Sequence, residues 1–139
     1  MNAQLVDVTS AYAVLSLFGP KARPILQAIT SDDISNDVLP FGASKTIDIA
    51  GCPVSALWVS YVGELGWELH LPMEYAAAVY DAIDHAGAIH ALRNAGFRAI
   101  ETLRLEKGFR AWSADIGPDH TPFEAGLGFA VKLDTNLAF

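Results

Sequence analysis

An α+β sandwich, with helices on one face of a largely antiparallel sheet, is the fold class this 139-residue sequence predicts. Three observations carry it. Short apolar or alternating runs occur at 10–19, 45–61 and 67–71. Helical periodicity appears at 22–29, 73–86 and 97–108. The two kinds of segment are separated by glycine and proline. Read in order, the elements run strand, helix, two or three strands, helix, helix, strand, for which a ferredoxin-like β-α-β-β-α-β core is the first expectation.

The first run, "SAYAVLSLFG", is ended by Gly19-Pro20 and reads as a buried strand. A helix follows with Ala22, Ile25, Leu26 and Ile29 on one face, and Pro24 fits its first turn. Residues 31–44, "SDDISNDVLPFGAS", are rich in turn formers and predict an exposed loop. Residues 45–50 and 53–61 predict a strand pair turned at Gly51-Cys52-Pro53.

In "YVGELGWELHLP" (61–72), Gly63 and Gly66 suit a tight connection, so "VGELG" predicts a turn and "WELHL" a strand. Trp67, Leu69 and Leu71 then share one face, Glu68 and His70 the other. A helix over 73–86 carries Tyr75, Val79 and Ile83 on one side and ends at Gly87. "FRAIETLRLEKG" predicts another, with Ile100 and Leu103 inward, Glu101 and Arg104 paired on its surface, Lys107 near its C-terminus and Gly108 as its cap. "GLGFAVKL" (126–133) predicts a last short strand.

Composition bounds the function. With 52% hydrophobic and 18% charged residues the chain is globular and long enough for one real core. A net charge of −7 disfavours nucleic acid, whose phosphates are bound by Lys and Arg. No apolar run approaches the ~20 residues of a membrane span, and the first ten residues lack a secretory pattern. Cys52 is the single cysteine, which excludes an internal disulfide and suits a cytoplasmic or organelle-matrix setting.

Most chemical motifs are missing. The four histidines have no metal-ligand spacing. There is no G-x-S-x-G elbow. "GLG" at 126–128 lacks the third glycine and the following helix of a dinucleotide site. Cys52, with no basic neighbour, reads as a small turn residue. Glu64 reads as solvated and Trp67 as a core aromatic. Glu68 has two readings: a solvent-facing carboxylate on a half-buried strand, or a carboxylate that accepts paired N–H groups from a flat heterocycle. Such a charge-assisted contact contributes roughly 1.5–3 kcal/mol.

"YVGELGWELHLP", "AIETLRLEKGFR" and "TPFEAGLGFAVKLD" resemble three consecutive blocks of the glycine-cleavage T-protein (aminomethyltransferase) family, from about Val8 to Asp134. The spelling is closer to the folate domains of dimethylglycine and sarcosine dehydrogenases. The resemblance implies the folate-binding domain of that family, with tetrahydrofolate as its small-molecule partner and FAD only in an upstream domain. It implies that Glu68 hydrogen-bonds the pterin ring and that Phe129 lines the pterin site; Phe129 as an ordinary core residue is the equal alternative. In such relatives the folate amine captures a one-carbon unit released by oxidation of a methylated glycine. Two features depart from the family pattern. Ile100 stands where transferases carry a folate-contacting arginine, and Arg98, two residues earlier, points about 200° around the helix from it. The family's catalytic aspartate and its C-terminal barrel have no counterpart in 1–139. The chain is therefore expected to be a partial domain, with no catalytic residue of its own, that binds folate weakly, turns over little, and pairs with itself or packs on further domains. The rival expectation is a degenerate T-protein-like module that serves structure or subunit association.

Overall fold

The computed structural model describes residues 3–133. Four strands, β1 (Tyr12–Phe18), β2 (Ser44–Ile49), β3 (Cys52–Leu57) and β4 (Gly66–Pro72), form one sheet in the order β1-β4-β3-β2, with every pair antiparallel. Helices α1 (Ala22–Ala28) and α2 (Ala76–Gly87) pack on one face, and α3 (Phe97–Glu106) follows. This is the expected α+β architecture. Alternation along β4 sets the faces: Trp67, Leu69 and Leu71 are fully buried, while Glu68 and His70 are half-exposed. Leu17, Val54, Ile47, Ile25, Leu26 and Val79 complete one continuous core.

The β2–β3 hairpin turns at Ala50-Gly51, not at Gly51-Cys52-Pro53. Both residues have positive φ, 54° and 77°, as a two-residue type I′ turn requires. Ile49 then pairs with Cys52, which moves Cys52 out of the turn and into the core. Burial pushes its thiol pKa up. β3 also ends at Leu57, four residues early. Trp58 instead exchanges backbone hydrogen bonds with Gly42 and Ala43, at 2.9 and 3.0 Å.

The loop over 31–44 forms, but it is not simply exposed. Ile34 and Leu39 are fully buried, each contributing about 1.5–3 kcal/mol of apolar burial. Side chains replace the missing ladder. The Arg23 guanidinium donates to the Ile34 carbonyl and to Asn36 Oδ1, the Gln27 amide donates to the Thr30 and Asp32 carbonyls, and Asp32 accepts from the Asp48 N–H.

α1 begins at Ala22, and Pro24 sits in its first turn as expected. α2 is preceded by a 3₁₀ turn, Met73–Tyr75, and Gly87 is its last helical residue, with φ −74°. The left-handed residue is Ala91, with φ 56°; Gly87 is needed instead for the close approach of Leu92. In α3 the inward residue is Arg104, whereas Ile100 is half-buried and Leu103 exposed. The strand expected at 126–133 does not form. Thr121 and Glu124 exchange capping hydrogen bonds that coil the chain into turns, and residues Gly128–Ala130 make a single 3₁₀ turn. Asp134, at the edge of that sequence motif, lies outside the described residues.

At the start of β4, Gly66 is buried opposite Phe18, and a Cβ there would run into the Leu17 carbonyl and the Phe18 ring. Gly66→Ala is therefore expected to destabilise the fold by about 1–3 kcal/mol. Urea unfolding checks this: the midpoint should fall with the slope unchanged.

Candidate functional site

Among the described residues, no helix covers the second face of the sheet, where Tyr12 and Val14 are exposed. At its centre stands Glu68, its side chain 34% exposed. Ser16 on β1 and Leu57 on β3 flank it in register; Val14 and Ser55 flank His70 in the same way. Two residues apart on one strand, Glu68 and His70 share that face, and His70 Nε2 lies 3.5 Å from Glu68 Oε2. That is ion-pair range when the imidazole is protonated, but Nε2 makes no aligned hydrogen bond among the described residues. The carboxylate can therefore take up a donor pair from a ligand.

Phe129 is 86% exposed on its 3₁₀ turn among the described residues. Among the described residues, neither it nor Glu68 lines the cavity at β1, α2 and α3 or the one at the β3–β4 connection. Ile100 half-buries itself in the wall of a cavity of about 380 Å³ between β1, α2 and α3, and Arg98 is exposed. Glu68 borders neither that cavity nor the second one described next; its setting is an open sheet face.

The second cavity, about 440 Å³, lies at the β3–β4 connection and is walled by Phe41, Trp58 and Phe109, with Ser60, Glu64 and Leu65. Ser60 Oγ accepts from the N–H groups of Val62 and Glu64, at 3.3 and 3.2 Å, and so shapes the turn. Tyr61 stacks on Phe109 (centroids 6.1 Å apart, planes at 15°) and donates its hydroxyl to the Arg110 carbonyl at 2.9 Å. Lys107 Nζ stands 3.8 Å from Glu64 Oε1. Behind the cavity, the Arg23 guanidinium lies 5.1 Å from the Trp58 ring and 5.0 Å from Trp67. Sequence reasoning missed Phe41, Trp58, Tyr61 and Phe109 because nothing local marks them; only the chain's return at 109 brings them together. Glu64, expected to be solvated, lines the cavity with half of its side chain exposed.

Arg104 ties the return in place. The surface pair expected with Glu101 exists, but Arg104 itself is 2% exposed and donates to Glu101, to Asp115 and to the Phe109 carbonyl. Glu101 first, then Asp115, push its pKa further up, so it stays a cation at any working pH. The carboxyl of Asp115 is held below the usual range by the Ala111 N–H above all; burial opposes this, and Arg104 and Arg110 add to the lowering. A carboxylate lowered in the folded state stabilises the protein above its unfolded pKa of about 3.9, and that stabilisation is lost as pH falls through the lower folded value. Asp115→Asn is expected to lower the melting temperature at pH 7 and to flatten its decline below about pH 4. Thermal melts of both proteins across pH 2–7 (a span set to bracket about 3.9) check this; parallel curves would refute it.

Among the described residues, no helix is long and apolar enough to cross a membrane, and no group of three or more His, Cys, Asp or Glu side chains is gathered for a metal. With this geometry in place, comparison with known proteins is specific. Sarcosine dehydrogenase, mitochondrial, of Mus musculus is 48% identical over 99% of this chain, which covers 15% of that protein. Dimethylglycine dehydrogenase, mitochondrial, of Homo sapiens is 44% identical over 99% of the chain and is covered to 16%. An aminomethyltransferase of Symbiobacterium thermophilum is 37% identical over 99% and is covered to 37%. The chain thus spans a minor part of each relative's length. A heterotetrameric sarcosine oxidase from Corynebacterium sp. U-96 shares the fold, with a TM-score of 0.56 and 19% identity over 67% of this chain and 46% of that one. The model of the GCVT N-terminal domain matches residues 2–135, and the chain belongs to that family.

Proposed function

We propose that this chain is the tetrahydrofolate-binding segment of a one-carbon transfer enzyme, of the sarcosine or dimethylglycine dehydrogenase type or the aminomethyltransferase type. Family membership supports the reaction class. The observation that carries the binding role is Glu68, a half-exposed carboxylate at the centre of an uncovered sheet face.

The residues present fit a pterin. An ionised carboxylate accepts two parallel N–H bonds, which a planar amino-heterocycle offers. Leu57 and Val14, beside Glu68 and His70 on the same face, give a flat ring an apolar footing. His70 Nε2 stands 3.5 Å from one carboxylate oxygen without an aligned hydrogen bond, which leaves both oxygens available to a ligand. Phe129, exposed on its turn, is the aromatic that the family resemblance assigns to the pterin site. When bound, tetrahydrofolate supplies the amine that accepts the one-carbon unit; this chain binds and orients the ring. Any flavin belongs to another part of the enzyme. A mitochondrial-matrix location fits the relatives that are named as mitochondrial.

A second reading, a module for domain or subunit association, is favoured by a different observation. The C-terminal third leaves Phe97, Trp112, Phe123 and Phe129 exposed. Glu68→Gln separates the two. On the folate reading it weakens tetrahydrofolate binding roughly 10- to 100-fold with an unchanged melting temperature. Calorimetric titration of the full-length wild-type protein and its variant decides. Equal affinities, or no binding by the wild type, would leave the association reading.

A further inference from the structure

We propose that His70 is a positioning residue for Glu68 that couples ligand capture to pH, an inference that rests on the reading of Glu68 as the pterin-binding carboxylate. The imidazole lies on the same open face, with 39% of its side chain exposed. Its Nε2 is nevertheless buried and has no hydrogen-bond partner among the described residues. Glu68 Oε2 stands 3.5 Å from that atom. The residues that flank His70 in register, Val14 on β1 and Ser55 on β3, carry no charge. Tyr12 lies diagonal to it on β1, and Asp48 lies two strands away on β2. In the four strands no lysine or arginine shares this face. Glu68 and His70 therefore face each other without a competing charge beside them.

A neutral imidazole has one N–H and one lone pair. With the lone pair at Nε2, that atom faces a carboxylate oxygen that is itself only an acceptor, so neither satisfies the other. Protonation of the ring places a proton at Nε2 whichever tautomer it starts from. The contact then becomes a charge-assisted hydrogen bond, whose ordinary length is about 2.7–2.9 Å. A small rotation of either side chain closes the gap from 3.5 Å. Neutral, His70 leaves both carboxylate oxygens to a ligand that offers paired N–H groups. As imidazolium it holds Oε2, and the ligand has to displace it, which strands a buried charged N–H. Histidine ordinarily titrates near 6.5, whereas a glutamate stays ionised down to about 4.3. Between those values the pair is closed on itself, and above them Glu68 is open.

The test titrates the full-length protein with 5-formyltetrahydrofolate, whose N5 is an amide and takes up no proton in the range used. That range runs from about pH 5.5 to 8, on both sides of about 6.5. The wild-type affinity should fall roughly 3- to 10-fold on acidification across it. His70→Gln keeps a polar side chain but cannot take the proton, so its affinity should stay level. A histidine that serves only packing would give the two proteins parallel profiles. Parallel profiles, or a wild-type affinity that is flat or rises as pH falls, overturn the proposal. A second readout needs no folate: exchange of the histidine C2 hydrogen, followed by mass spectrometry, gives the pH midpoint of His70. Glu68→Gln should lower that midpoint, because the carboxylate favours the imidazolium; an unchanged midpoint overturns the proposal as well. The two readings fail separately. If Glu68→Gln leaves folate affinity unchanged, the pterin reading falls and takes this inference with it. If Glu68→Gln weakens binding but the wild-type pH profile is flat, only the role of His70 is lost.

Discussion

The alternation of β4 governs the rest of the molecule. This strand is paired on both sides, by β1 and β3, so its register is fixed twice. Trp67, Leu69 and Leu71 supply the centre of the core, and the same periodicity obliges Glu68 and His70 to face away from it. A slip of one residue would bury a carboxylate and an imidazole and expose a tryptophan. Folding and presentation of Glu68 are therefore one constraint.

Arg23 connects this sheet to the aromatic cleft. Its guanidinium lies near two tryptophans and also donates to the loop carrying Ile34. One side chain thus closes the loop over the core and supports Trp58 from behind. Trp67 Nε1, buried without an acceptor among the described residues, is the polar cost of this packing. It is offset by the ring contacts, worth about 0.5–2 kcal/mol for each close cation.

The sequence was informative wherever structure is local. The faces of β4, the positions of α1 and α2, and the left-handed Gly108 after α3 (φ 71°) follow from periodicity and turn chemistry. It failed where distant groups decide. Nothing in "SDDISNDVLP" announces that Ile34 and Leu39 enter the core, because the bonds that pull them in come from Arg23, Gln27 and Asp48. Arg104 looked like a surface partner of Glu101 because Asp115 and the Phe109 carbonyl, its other acceptors, lie beyond the helix. The 126–133 segment has strand-like composition, yet Thr121 and Glu124 direct the chain into turns first. For the site, the resemblance singled out Glu68, but the aromatic cleft depends on the return of the chain at Phe109 and had no local signature.

The two ends of the chain are held by different forces. Through Ile83 the fold rests on apolar burial; from Phe97 to Leu133 only Arg104 and Ala125 are buried, and polar ties do the fastening. Such a segment should open as its own cooperative unit, well before the sheet. Amide protons there would exchange with solvent through that partial opening, and the opening would become easier as added salt weakens the charged ties. The aromatic cleft, which borrows Phe109 from this segment, would come apart in the same event, while Glu68 on its doubly paired strand stayed in place.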